Sequence, residues 1–318
     1  MDSVRVQSAA VADLKIQPLS PSIGAELSGV DLREPLESGL RDEIYAALLQ
    51  WKVVFFRDQA LSTDQHLDFA RQFGVLEQHP FAPHKRDFPE VLSIRHGEKH
   101  PGFENRWHSD VTWRLEPSLG SVLRCLECPD VGGDTLFSDM YAAYEGLPNA
   151  VQEQICDLTA IHDFGHFRDR LRQRGATDED IAAFDAAYPN PEHPVVRTHP
   201  ETGRRGLYVN AAFTKRIVQL PSAQSDELLA HLYAQAQTPE YQCRFRWTPN
   251  AIAFWDNRAC QHYAASDYFP ARRTMERVTI AGDAPFFSKT VEGNTGQSDA
   301  LQGHIRLRQR VDNSPSAK

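Results

Sequence analysis

Apolar positions change period several times along the chain, and each change marks an element. Residues 40–50 (LRDEIYAALLQ) place apolar side chains at 40, 44, 47 and 48, the spacing of one helix face. The run Lys52-Val53-Val54-Phe55-Phe56 that follows is short, β-branched and aromatic, and reads as a strand. Ser62-Thr63-Asp64-Gln65 has the Ser-x-x-Gln form of a capping box and predicts a helix running through Phe73. Further on, strand-like runs start at Ser121 (SVLRCLEC) and, after the turn Gly132-Gly133-Asp134, at Thr135; others cover 206–213, 245–247, 251–255 and 273–281. Helical spacing recurs at 141–147, 150–158 and 225–236. The pattern predicts a mainly β protein with flanking helices, an antiparallel sandwich or barrel with its helices outside. Without regular β-α-β alternation, GxGxxG or GxxxxGK[ST], a nucleotide-binding α/β fold is not expected.

Composition narrows the class. The chain has 318 residues, of which 41% are hydrophobic, enough for a sizeable core. With 34 Lys+Arg against 43 Asp+Glu, the formal charge of −9 argues against a nucleic-acid partner. No apolar run approaches the ~20 residues of a membrane span, and Met1-Asp2-Ser3-Val4-Arg5 lacks a signal-peptide layout. Five scattered cysteines suit reduced thiols and a cytoplasmic location. Residues 1–15 are expected to form a loose arm, 16–287 one domain, and 288–318 a polar tail that packs late or not at all. A homo-oligomer is expected.

Candidate chemistry gathers in two segments. In Trp107-His108-Ser109-Asp110-Val111-Thr112-Trp113 an imidazole and a carboxylate stand two residues apart, so on a strand they share a face. They would supply two legs of a 2-His-1-carboxylate metal site, whose third leg must come from elsewhere in the chain. Alone the pair is a weak signal, and a strand histidine bonded to its neighbouring aspartate is the commoner reading of it. Far downstream, Trp255-Asp256-Asn257-Arg258 leads to His262, and a strand from Arg273 to Ile280 puts Arg273, Met275, Arg277 and Thr279 on one face. Two arginines on an inward face are costly unless anions meet them. Thirteen histidines in all leave several others to weigh. His193 and His199 read as structural, His84, His96 and His100 as exposed or lid residues, and Trp107 and Trp113 as core. Asp134 reads as a turn-stabilising residue. Cys125-x-x-Cys128 lacks a second pair for zinc, and Ser109 and Ser121 lack a Gly-x-Ser-x-Gly context.

From about Ile16 to Phe287 the chain resembles the TauD/TfdA family of Fe(II)/2-oxoglutarate-dependent dioxygenases. The resemblance is carried by Ile23-Gly24-Ala25-Glu26, Gly29-Val30-Asp31-Leu32, Val53-Val54-Phe55-Phe56-Arg57, Trp107-His108-Ser109-Asp110-Val111-Thr112, Gly132-Gly133-Asp134-Thr135-Leu136, the segment from His193 to Pro200, and Trp255-Asp256-Asn257-Arg258 followed by His262-Tyr263. It implies a double-stranded β-helix (jelly-roll) core, with His108, Asp110 and His262 as iron ligands and 2-oxoglutarate and O2 as co-substrates. Arg273 and Thr135 would hold the distal carboxylate of 2-oxoglutarate, Arg277 an anionic substrate group, and His79, Phe164 and Phe213 the rest of the substrate pocket. Taurine-cleaving members carry a tyrosine where this chain has Ala82 and an asparagine where it has Glu104. The first departure enlarges the pocket; the second puts a carboxylate near the substrate, facing either a cationic group on the substrate or a protein cation such as Arg106. The implied activity is hydroxylation of a small anionic substrate, a sulfonate or alkyl sulfate ahead of a carboxylate such as an aryloxyalkanoate or amino-acid derivative. A non-catalytic jelly-roll binding protein is the reading from another class. Arg277 follows Arg273 by four residues, about 13 Å along a strand, too far to share one small carboxylate.

Overall fold

Strand Val53–Phe56 sends Val53 and Phe55 to one face and Val54 and Phe56 to the other, and its neighbours keep the same phase. The computed structural model describes residues 14–80, 84–98, 102 and 104–289. Within these, a nine-stranded sheet runs in the order Lys15–Pro18, Ala25–Ser28, Val53–Phe56, Ile252–Asp256, Gly120–Glu127, Arg273–Ile280, Phe88–His96, His84–Lys85, and the short strand Leu76–Glu77 also pairs with Arg273–Ile280. Ala25–Ser28 and Val53–Phe56 run parallel; the other pairs are antiparallel. A second sheet holds Gln242–Phe245, Thr135–Asp139 and Cys260–Ala264.

The two sheets face each other across one core. Val53, Phe55, Leu123, Ala253, Trp255 and Met275 from the large sheet meet Phe137, Cys243, Phe245 and Cys260 from the small one. Phe55 stacks on Phe245 at 4.0 Å between ring centroids, a direct inter-sheet contact. On its other face the large sheet is covered by helices Ser38–Trp51 and Thr63–Arg71, whose Ile44, Leu48, Leu67 and Phe69 pack on Val54, Phe56, Val122, Phe254 and Val278. Ser62 and Gln65 form the expected capping box at the second helix. Both sheet faces are therefore buried, which suits the apolar runs in these strands. That outer face also buries charge: Glu276 pairs with Arg124 and with Lys85.

The structure corrects several sequence expectations. The arm is shorter than expected, since Leu14 is buried and a strand starts at Lys15; residues 1–13 lie outside the described residues. The strand expected over 206–213 is confined to Arg205–Leu207, because Asn210 Oδ1 accepts the Ala212 and Phe213 N–H groups and turns the chain. The first tail residues are tied down: the Ser288 N–H donates to Thr198 Oγ1, and Arg205 donates to the Ser288 and Lys289 carbonyls. Residues 290–318 lie outside the described residues. Asp134 pairs with Arg244, and it is Asp267 that accepts the Gly133 N–H. His96, expected near solvent, is buried beside Arg273, its register partner across the strands; His100 lies outside the described residues. No described helix is long and apolar enough to cross a membrane.

Candidate active site

His108, Asp110 and His262 converge between the two sheets. Their potential ligand atoms lie within 4.8 Å of one another, the one such cluster of three among the described residues. Asp110 Oδ1 is 3.7 Å from His108 Nε2 and 3.9 Å from His262 Nε2. The convergence does not come from a regular strand, as the sequence suggested. His108 makes a single antiparallel bridge to His262, each N–H donating to the other's carbonyl, and the chain then turns at Asp110. Val111 takes φ 48°, which is costly for a β-branched residue. The turn is held by buried polar groups: the Thr112 hydroxyl meets His162 Nδ1 and Asn210 Nδ2, and His193 Nε2 faces the carbonyls of Thr112 and Arg114. His193 is thus structural, as is His199, which pairs with buried Asp256.

Protonation states suit a divalent cation. His108 Nδ1 donates to the Arg106 carbonyl at 2.7 Å, which leaves Nε2 as a lone-pair donor facing Asp110. Burial, then the neighbouring His108, pushes His262 down to about 3, so it is a neutral donor. Burial opposes the Asp110 charge, but Arg277 and the two histidines overcome it and hold the carboxyl well below its usual range. Two imidazoles and one carboxylate, with no further ligand beside them among the described residues, match the donor set of an open non-haem iron site.

Beside the cluster a cavity runs between the sheets, lined by Glu104, His108, Thr135, Phe137, His262, Arg273 and Arg277 among others. Arg273 is 4% exposed; its Nε donates to the Gly133 carbonyl at 3.1 Å and its Nη2 lies 3.5 Å from Thr135 Oγ1. Burial lowers its pKa, and it makes no ion pair among the described residues. Gly133 permits this approach, for at φ 71° a Cβ would sit 3.2 Å from Arg273 Cδ. Trp247, which the sequence did not single out, fixes Thr135 by donating to its hydroxyl at 2.9 Å and lies under the guanidinium.

Arg277 Nη1 donates to Asp110 Oδ1 at 2.7 Å, while its buried Nε has no acceptor among the described residues. His79 packs near Trp113 and Phe167; burial first and Arg277 second push it down to about 3, so it is neutral. Phe213 lies edge-on to His108 at 6.0 Å, whereas Phe164 is wholly buried against Trp113 and Phe184 and serves as backing. Glu104 faces His96 at 3.1 Å rather than Arg106. Ala82 lies outside the described residues. Sequence reasoning did not single out Phe167, whose ring packs near His79 from the helix Gly165–Gln173, or Asn257, whose side chain bonds the Asp110 peptide.

Comparison with known proteins gives the family. The profile of the family described as "Taurine catabolism dioxygenase TauD, TfdA family" matches residues 15–279. The alpha-ketoglutarate-dependent sulfate ester dioxygenase of Pseudomonas putida is 35% identical over 278 residues, covering 86% of this chain and 91% of that protein. The alpha-ketoglutarate-dependent 2,4-dichlorophenoxyacetate dioxygenase of Cupriavidus pinatubonensis is 34% identical, covering 84% and 97%. A solved taurine dioxygenase from Burkholderia xenovorans superposes with a TM-score of 0.74 at 39% identity, covering 89% of this chain and 92% of that one. The chain belongs to the TauD/TfdA family of 2-oxoglutarate-dependent dioxygenases.

Proposed function

We propose that this protein is an Fe(II)- and 2-oxoglutarate-dependent dioxygenase that oxidises a small anionic substrate, a sulfate ester or sulfonate ahead of a carboxylate. The observation that carries the reading is the pair of arginines facing one cavity beside the His-Asp-His cluster, buried Arg273 without an anionic partner among the described residues and half-buried Arg277 with a buried, open Nε. Arg273, a buried cation without a counter-ion, calls for the anion of the co-substrate, and Arg277, already paired with Asp110, keeps its Nε for an anion of the substrate. The facing sheets are read as the halves of a double-stranded β-helix, in a domain that takes in Leu14 at one end and Ser288 and Lys289 at the other.

His108 Nε2, Asp110 Oδ1 and His262 Nε2 would hold the iron, which when bound couples O2 reduction to decarboxylation of 2-oxoglutarate. Arg273 and Thr135 grip the distal carboxylate and so fix which end of 2-oxoglutarate reaches the cluster. Arg277 and neutral His79 donate to the substrate anion, while Phe213 walls its apolar part. Held by these donors, the substrate presents one oriented C–H bond to the cluster, and oxidation falls there. For a sulfate ester, R–CH2–OSO3⁻, 2-oxoglutarate and O2 give the aldehyde R–CHO, sulfate, succinate and CO2, because the hydroxylated carbon expels the ester oxygen. The absence of the phenol at Ala82 favours bodies larger than that of taurine. The aryloxyacetate-oxidising relative supports the carboxylate as the second reading. Free cysteines support a cytoplasmic site of action, and self-association into a homo-oligomer is part of the proposal, read by light scattering. A panel of alkyl sulfates, sulfonates and carboxylates, each assayed for succinate against released anion, tests the substrate class. Equal turnover of neutral and anionic analogues would refute it.

A further inference from the structure

The two ligand-bearing segments are joined by three successive rungs, only the first of which is ordinary strand pairing. His108 and His262 exchange two backbone bonds, at 3.1 and 2.8 Å. Next, the Ser109 hydroxyl donates to the Cys260 carbonyl at 2.8 Å. In a regular antiparallel ladder Asp110 would then face Cys260, but that carbonyl is taken. Instead the carboxamide of Asn257 closes on the Asp110 peptide: the Asp110 N–H donates to Asn257 Oδ1 at 2.6 Å, and Asn257 Nδ2 donates to the Asp110 carbonyl at 2.9 Å. A side-chain amide has the donor and acceptor of a peptide group in the same plane, so it can replace the missing strand residue.

Asn257 is well placed for this. It is 1% exposed, its own N–H donates to the Leu119 carbonyl at 2.8 Å, and Nδ2 also reaches the Ser118 carbonyl at 3.2 Å. It sits in the turn between strands Ile252–Asp256 and Cys260–Ala264, the second of which carries His262. On its other side Asp110 runs into Val111, whose left-handed conformation would relax without a fixed neighbour.

We infer that Asn257 is a positioning residue for the metal-binding carboxylate: by standing in for a strand peptide, it holds Asp110 at the distance from His262 that one cation requires. This rests on the proposed iron site. The geometry also assigns a different weight to the two adjacent rungs. Ser109 ties the backbone only at one point and bonds no ligand residue's peptide, whereas Asn257 clamps both sides of the ligand's own peptide.

Co(II) titration of the full chain, followed by its d–d absorption and by calorimetry, tests the inference with a readout independent of turnover. The variants are N257A and the isosteric N257D, which keeps an acceptor for the Asp110 N–H but replaces the donor by an oxygen that repels the carbonyl. Both should melt cooperatively with an unchanged far-UV spectrum, bind Co(II) roughly 10- to 100-fold more weakly, and show a shifted d–d envelope. S109A should bind Co(II) close to the affinity of the unaltered chain. Wild-type affinity and spectrum in either folded Asn257 variant would overturn the inference, as would an equal loss in S109A or a failure of both Asn257 variants to fold. No Co(II) uptake by the unaltered chain would refute the metal site itself and this inference with it; uptake by that chain and equally by the variants would refute only the positioning role.

Discussion

Replacing Arg273 by methionine should make the free protein more stable and the co-substrate complex much weaker. The guanidinium is buried, bonds only the Gly133 carbonyl and Thr135 hydroxyl, and makes no ion pair among the described residues. Burying a cation without a counter-ion is a cost that an apolar side chain of similar length avoids, about 1–3 kcal/mol in favour of the variant. In the complex the sign reverses. A buried carboxylate deprived of its partner loses about 2–5 kcal/mol, which at 1.4 kcal/mol per tenfold is roughly 30- to 4000-fold in Kd. Urea unfolding with Mn(II), with and without 2-oxoglutarate, reads both effects. At a concentration 100 times its Kd, the ligand should stabilise the unaltered protein by about 2.7 kcal/mol. At that same concentration the variant, even at the smallest predicted loss, should gain no more than about 0.9 kcal/mol. A ligand-induced gain equal to that of the unaltered protein would refute the assignment of Arg273. A variant less stable than the unaltered protein without ligand would refute the argument that the cation waits unpaired.

Three further outcomes follow from particular contacts. Arg277→Ala should raise the KM for an alkyl sulfate by roughly 30-fold or more while moving that for 2-oxoglutarate little; equal effects on both, read by succinate formation, would contradict separate anion sites. Gly133→Ala adds a Cβ at φ 71°, 3.1 Å from Tyr268 Cδ1 and 3.2 Å from Arg273 Cδ, so it should lose about 1–2 kcal/mol of stability and weaken 2-oxoglutarate binding; unchanged melting and affinity would show that the approach is not close. His66 is pushed down to about 3, chiefly by burial, and its Nε2 bonds the Val122 carbonyl. The unfolded chain therefore takes up this proton first, near pH 6.5, and the stability His66 contributes above that pH is lost as pH falls toward 3. By pH 4.5 the loss is about 2.7 kcal/mol from this residue; His66→Gln should flatten that part of the urea-stability profile, and an unchanged slope would contradict it.

Local pattern carried much of this architecture because the decisive strands are buried on both faces. The run at Val53 and the face shared by Arg273, Met275, Arg277 and Thr279 are consequences of a period of two, which sequence shows directly. The Ser62 cap was equally local. What periodicity could not show is the segment at His108, where the expected strand is one bridge followed by a strained turn. Its shape depends on partners roughly 50 to 150 residues away: His162, His193, Asn210 and Asn257. For the same reason nearness in sequence points Glu104 toward Arg106, whereas the protein group it faces is His96. His96 lies on the penultimate strand of the sheet and is brought there by pairing with Arg273, not by nearness in sequence to Arg106. Asn257 did have a signal, its place in the Asp256-Asn257-Arg258 turn before His262, but only the geometry gives its amide a task.

The most direct test of the central claim is succinate formation by the purified full chain with Fe(II), 2-oxoglutarate, O2 and hexyl sulfate, set beside the His108→Ala and Asp110→Ala variants. The account predicts succinate and free sulfate in equal amounts, dependent on iron, 2-oxoglutarate and oxygen, and abolished in both folded variants. Sulfate release that needs no 2-oxoglutarate, or coupled turnover at the unaltered rate in either variant, would contradict it.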